Sequence, residues 1–512
     1  MRRHLISGTE ERHGQHAELG QPVMTLQNAS WLVRRDRMPA HPGKPTNDVP
    51  VSPLLTSEQS SSPRPGQVDE KQLWRAMAWF VVPQTANAAL QLLSGTVTAI
   101  YFGQLLGRWA LAVASAFFPI FSLLVSFLIG IITGGIVLVA RAYGAGDTQQ
   151  IKSVTGTTLC VCALLSIAIA VIGYCFSQEL LGVMATPPDI LLPVVEYARV
   201  TFVSLPIVTL FFACTFLLRG TGDAQTPLLA MALCIGIGLL LTPALIEGWC
   251  GLPKLGVTSA PWANLAACAI SLPALMVYLR FQGHPMAFDR DLLRRLRIDP
   301  GIARSFFGIG IPGGVQMTVT SLSEVAVIAL VNPFGSSATA AYGAVNQVAG
   351  YLLAPMQAVG LAATVFAAQA VGARQADRLG AVTRISIVLN VLIGASAVGA
   401  LCLFSQTVLS WFVVDPVTLS IAERALLITL WSYVLVGIGN VLAGVMRSTG
   451  TVVWPAGIAI AAIWLVQLPT ACLLSRSIGL DGIWMGYPAG FIAALIAQIL
   501  YYGLVWRHRP DQ

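Results

Sequence analysis

Leu218-Arg219-Gly220-Thr221-Gly222 returns 228 residues later as Met446-Arg447-Ser448-Thr449-Gly450. Ala140-Arg141-Ala142-Tyr143-Gly144-Ala145 returns at the same spacing as Ala368-Gln369-Ala370-Val371-Gly372-Ala373, and Pro227 returns as Pro455. Separate matches at one offset mark an internal duplication. Each matched stretch ends a long apolar run, so the repeated unit is a bundle of apolar helices. From Leu73 onward twelve such runs are long enough to cross a ~30 Å hydrocarbon core as helices. They cover 73–100, 110–136, 153–176, 193–218, 226–246 and 259–281, then 304–331, 340–369, 381–405, 420–446, 453–475 and 483–506. Six helices return the chain to its starting side, so the repeats are parallel, related by an axis along the membrane normal. The expectation is an all-α integral membrane protein of twelve transmembrane helices in two six-helix halves.

Composition agrees. Of 512 residues, 55% are apolar and 10% charged, against roughly 25% charged in soluble domains. The mean hydropathy is +0.73. Residues 1–75 hold 10 of the 30 Lys+Arg and 8 of the 23 Asp+Glu, leaving too few charges elsewhere to coat a water-soluble surface. Residues 1–72, rich in Pro, Ser, Gln and Arg, have no helical or strand period and read as a disordered extension. They contain no apolar stretch of signal-peptide length, and Met24 and Met38 are alternative starts. The N-half is expected over 73–282, a connector carrying Arg290, Arg294, Arg295 and Arg297 over 283–303, the C-half over 304–506 and a tail over 507–512. With the N-terminus in the cytoplasm, inside connections after residue 75 hold fifteen basic residues and outside ones five. Both termini are therefore expected in the cytoplasm of a multi-pass inner (plasma) membrane protein. The same bias accounts for the net charge of +7 with no nucleic-acid partner.

Several chemistries are excluded. All six histidines (His4, His13, His16, His41, His284, His508) lie in the head, the connector or the tail, which leaves no intramembrane histidine metal site or relay. The nine cysteines form no CxxC pair, and most sit in apolar runs as small core residues. There is no GxxxxGK[ST] motif for ATP, and no nucleophile–base pair that would mark an enzyme. No cofactor is expected beyond a coupling ion.

Ionisable residues inside hydrocarbon are costly and point to function. Glu324, in Ser321-Leu322-Ser323-Glu324-Val325, is the one acid placed well inside a span. Gln316, Thr320 and Glu324 are spaced four apart with Ser323 beside them, so they share a helix face. The first helix carries a matching stripe, Gln84, Asn87, Gln91, Ser94 and Thr98. Both stripes are expected to line a central cleft, with Pro83 and Pro312 near the same end of their helices. Asn346, Gln347 and Gln357 are further cleft candidates, and Trp79, Tyr342, Phe366 and Trp464 are candidates for stacking on a planar cation. A carboxyl such as Glu324 can bind and release a proton, pair with a cationic substrate, or serve as a structural latch.

The repeated loops resemble the multidrug and toxic compound extrusion (MATE) family. Arg219-Gly220-Thr221-Gly222-Asp223-Ala224-Gln225-Thr226-Pro227 is similar to that family's loop between helices four and five, and Gln369-Ala370-Val371-Gly372-Ala373 to its loop between helices eight and nine. Val331-Asn332-Pro333-Phe334-Gly335 resembles the end of its seventh helix. The resemblance implies a V-shaped exporter of amphipathic, often cationic compounds, driven by inward proton or sodium flow. Where many relatives carry an Asp on the first helix and an Asn and an Asp on the fifth, this chain has Thr98, Gly238 and Thr242. Glu324 lies about one helical turn, ~5.4 Å, from the place of the relatives' seventh-helix Glu. The expected function is export of small organic cations or amphipathic molecules from the lipid membrane by a monomer in exchange for protons at Glu324. The alternatives are sodium coupling, a lipid or glycan-carrier flippase, and a non-transporting relative.

Overall fold

In the computed structural model the described residues are 70–184, 187–413 and 415–508, the side chain of Cys250 aside. The extension over 1–72 lies outside them except for residues 70–72, which open the first helix; residues 509–512 of the tail also lie outside. The N-half comprises α1 (Glu70–Tyr101), α2 (Arg108–Gly144), α3 (Thr148–Cys175), α4 (Pro188–Gly220), α5 (Gln225–Glu247) and α6 (Ser259–Phe281). The C-half comprises α7 (Pro300–Val331), α8 (Ser336–Gly372), α9 (Asp377–Ser410), α10, α11 and α12 (Leu480–Tyr501). α11 begins as Val453–Ala461 and passes through a π-helical turn, Ala462–Gln467, into Leu468–Ile478. α10 is two pieces, Pro416–Leu430 and Tyr433–Ser448, bent by 42°.

That bend corrects the expectation of one straight helix over 420–446. Ser432 donates to the Thr429 carbonyl at 2.5 Å and Thr429 to the Ala425 carbonyl at 2.9 Å. These hydroxyls bond back to the chain at the break, where the Leu435 amide in turn bonds to the Ser432 carbonyl at 3.0 Å. Beyond the break, Asn390 of α9 donates to the Val434 carbonyl at 3.1 Å.

The helices also outrun their apolar segments, because hydropathy marks the hydrocarbon core whereas capping marks the helix end. α2 and α8 have 37 residues each, about 55 Å at 1.5 Å per residue. Asp147 caps α3 by accepting from the Gln150 amide, and Asp299 caps α7 by accepting from the Gly301 and Ile302 amides, with Pro300 in the first turn. The connector therefore ends at Asp299, four residues short of its expected limit. It is bound to the N-half: Thr157 of α3 donates to the Arg297 carbonyl at 3.2 Å, Arg295 donates to Ser153 at 2.6 Å, and Lys152 pairs with Asp289.

The duplication is visible in the backbone. Gly222 and Gly450, at the same place in the two repeats, both turn with left-handed φ, +86° and +87°, a region glycine enters without steric cost. α2 and α8 run side by side through the centre. α7 of the C-half packs along α2, and α1 of the N-half along α8. The α2–α7 seam is backbone against backbone. A Cβ on Gly134 would stand 2.6 Å from the Phe306 carbonyl oxygen, and one on Gly310 2.6 Å from that of Ile131. Small residues permit this approach, and van der Waals contact supplies the attraction that the hydrophobic effect cannot supply within lipid.

Candidate transport site

The C-half stripe lies on α7. Ser323 is buried and donates to the Thr320 carbonyl at 2.6 Å, while the exposed Thr320 donates to that of Gln316 at 2.9 Å. Gln316 is half-buried. Glu324 stands seven residues before the end of α7, about 10 Å along the axis, so it sits in the outer third of the helix and not at its middle. It keeps an open surface, yet three phenol groups lie within electrostatic range of its carboxylate: Tyr342 of α8, Tyr433 of α10 and Tyr487 of α12. Tyr342 donates to the Glu324 backbone carbonyl at 3.3 Å, and its hydroxyl is 3.5 Å from that of Tyr487.

Packing fixes these rings. Tyr342 stacks on Trp484, centroids 5.9 Å apart at 14°, and Phe491 lies 5.7 Å from Tyr433 and 5.9 Å from Tyr487. Tyr342, Tyr433 and Trp484 belong to one buried cluster with Met356 and Leu426. Asn346 is exposed one turn along α8 from Tyr342. Four helices of the C-half thus contribute to one patch. An exposed carboxylate on the same helix face as Thr320 can hold a proton, a small cation or an organic cation.

The N-half stripe behaves differently. Gln84 and Asn87 are buried; Gln91 is exposed and donates to Asn87 at 3.1 Å. Gln84 Oε1 and Asn87 Nδ2 are buried without a partner. Thr98 and Ser94 are half-buried, and Thr98 donates to the Ser94 carbonyl at 2.9 Å. Thr242 donates to the carbonyl of Gly238 at 2.8 Å, so those two positions satisfy one another on α5.

Two side-chain contacts join α2 to α7 and α1 to α8. Ser126 of α2 lies 2.9 Å from Ser321 of α7, and Gln347 of α8 donates to Thr96 of α1 at 3.4 Å. Gln357 is exposed. Of the four aromatics singled out for stacking, only Tyr342 reaches the patch. Trp79 and Trp464 lie on exposed surface, and Phe366 packs edge-on against Phe80 at 5.9 Å. Tyr433 and Tyr487 escaped the sequence reading. Their one signal there is a phenol tip within an apolar run, which needs a partner when buried.

The halves close together at the end where α2, α4, α8 and α10 finish. Arg141 of α2 donates through Nε to the Ser448 carbonyl at 2.8 Å, and Gln369 of α8 donates to the Gly220 carbonyl at 3.1 Å.

The MatE family profile matches residues 83–244 and again residues 312–473, one match on each half. This chain belongs to the MATE family of multidrug efflux transporters. The family fixes a transporter rather than an enzyme, and a multi-pass membrane protein. Over 459 residues the chain is 42% identical to "Probable multidrug resistance protein YoeA" of Bacillus subtilis, covering 89% of this chain and 97% of that one. Over 432 residues it is 26% identical to a protein of Shewanella oneidensis named an FAD transporter, covering 82% and 93%. In fold it is similar to the crystal structure of a point mutant of the Vibrio cholerae MATE transporter VcmN, with a TM-score of 0.80 at 19% identity over 87% of this chain and 99% of that one. The two-repeat, V-shaped MATE architecture is therefore that of this chain.

Proposed function

We propose that this transporter exports amphipathic, cationic organic compounds by alternating access, in exchange for protons that load onto Glu324. The observation carrying the reading is the placement of that carboxylate: on an open surface in the last third of α7, on a helix whose Glu324 carbonyl accepts from Tyr342. The distribution of basic residues puts both termini, and the end closed by Arg141 and Gln369, in the cytoplasm of the inner membrane. The exposed face of Glu324 then lies toward the opposite, outer end, from which an external proton would reach it and displace a bound cation. Protonation removes the charge that held the cation, and deprotonation after reorientation restores it. A proton and a cation thus compete for one site, which is what exchange requires.

Sodium is the second reading, favoured by Thr320 and Ser323 beside Glu324 on α7, since a hard cation prefers several oxygen ligands. A single reconstitution separates the possibilities. Purified protein in liposomes is loaded with ethidium, and its efflux is followed under an imposed proton gradient and then under a sodium gradient, for wild type and Glu324→Gln. Proton-driven efflux in wild type that is lost in the variant supports the proposal. Efflux driven only by sodium replaces the ion, and equal efflux by both proteins assigns Glu324 a structural role. Transport of FAD in place of ethidium would overturn the cationic substrate class.

A further inference from the structure

The contacts at the closed end are related by the internal duplication. Arg141 and Gln369 are 228 residues apart, as are their acceptors Gly220 and Ser448. Each arm leaves the central helix of one half and ends on the last turn of a helix in the other: α2 to α10, and α8 to α4. The carbonyls they reach belong to helix C-termini, where no intrahelical donor exists. Between the arms α2 and α8 cross with their backbones in contact. A Cβ on Gly144 would collide with the Gln369 carbonyl, and one on Gly372 with that of Arg141. Separating the two halves at this end therefore breaks both arms together and uncovers both carbonyls.

We infer that Arg141 and Gln369 form a two-armed latch that holds this end shut and releases once in each transport cycle. They are positioning residues: neither touches the Glu324 patch, and each acts by setting how often the closed end opens. The arms are unequal. Arg141 makes a charge-assisted bond to a helix C-terminus, where the backbone dipole favours a cation; Gln369 makes a neutral one. The nearby Arg384–Glu70 pair, 2.5 Å apart on exposed side chains, adds little, because solvent screens such pairs.

The inference rests on the alternating-access reading, and its test needs no gradient. Hydrogen exchange is measured by mass spectrometry on the full chain in lipid nanodiscs without substrate, for wild type, Gln369→Ala, Arg141→Ala and the swapped pair Arg141→Gln with Gln369→Arg. Gln369→Ala is expected to raise exchange about fivefold in segments 141–147, 218–222, 368–374 and 446–450, the shift that one lost hydrogen bond of ordinary strength gives. Arg141→Ala should raise it further. The swap should return it to the wild-type rate, because the repeat offers either arm the same acceptor. Segment 127–134, in the α2–α7 seam, should not change. No rise, a rise throughout the chain, or a local rise that the swap fails to reverse would each overturn the latch. Ethidium efflux by Gln369→Ala should change in maximal rate with KM held within about twofold, as neither residue lines the site. Loss of coupling at Glu324 would leave the exchange result standing, and a failed latch would leave Glu324 untouched.

Discussion

The two halves share a fold and differ in chemistry. In the C-half, four helices bring Glu324, Tyr342, Tyr433, Tyr487 and Asn346 to one patch. In the N-half, α1, the equivalent of α7, carries Thr98 bonded to the Ser94 carbonyl, and α5 carries Thr242 bonded to that of Gly238. Duplication supplied the same scaffold twice, yet only one copy holds an ionisable group where the scaffold opens. A hydroxyl bonded back to its own helix has spent its one donor and carries no charge. A carboxylate at the same depth carries a charge that no backbone group of its own helix neutralises, and the proposal places coupling there for that reason.

The sharpest way to break this comparison is to exchange the chemistry between halves. Glu324→Gln is expected to reduce proton-driven ethidium efflux to the level of empty liposomes, whereas Thr98→Val and Thr242→Val keep at least about half the wild-type rate. An N-half variant as inactive as Glu324→Gln, with its fold intact by size-exclusion and thermal unfolding, would show that coupling is shared. The next contrast concerns the glycines that bring the halves together. Gly134→Val has no room beside the Phe306 carbonyl and should cost about 1–3 kcal/mol of stability, the usual penalty of overpacking. Gly95→Ala on α1 meets nothing within 4 Å and should hold or gain stability by up to ~1 kcal/mol. Thermal unfolding of the two variants in one detergent reads the difference.

Tyr342→Phe tests the patch more finely. It removes the hydroxyl that donates to the Glu324 carbonyl while leaving the ring on Trp484. The expected result is a two- to fivefold slower efflux, roughly the effect of one lost hydrogen bond, with the unfolding temperature changed by no more than a few degrees. A wild-type rate would place the phenols outside the mechanism. The smallest effect is expected at His284. Its Nδ1 accepts from the Met286 amide at 3.1 Å, and its Nε2 lies 3.4 Å from Thr221. Burial lowers its pKa, against a smaller opposing pull from Asp223. Its contribution to stability is therefore present above the ordinary histidine value, near about pH 6.5, and is lost as pH falls through the lowered folded value. Thermal unfolding of wild type between about pH 8 and 5 should show this decline, and His284→Gln should flatten it.

Much of the architecture was legible in the chain itself. Apolar runs of sufficient length locate the helices because the bilayer tolerates no unpaired backbone. The offset of 228 between Arg219 and Arg447 fixes two parallel halves whatever their packing. Glu324 could be singled out because an acid in an apolar run is costly wherever its helix points. Its neighbours could not. Tyr342 and Tyr487 stand 145 positions apart with Tyr433 between them, and no periodicity on one helix reports what three others place beside it. Helix ends, too, followed caps such as Asp299 and not hydropathy. The break at Ser432, where hydroxyls bond back to the chain, is not encoded in the apolar pattern of α10. The reciprocity of Arg141 and Gln369 belongs to the same class: the sequence determined that they are repeat equivalents, and only the crossing of α2 and α8 decided that each would reach the other half's helix end. Local chemistry is written residue by residue, whereas a contact between halves depends on where two whole bundles come to rest.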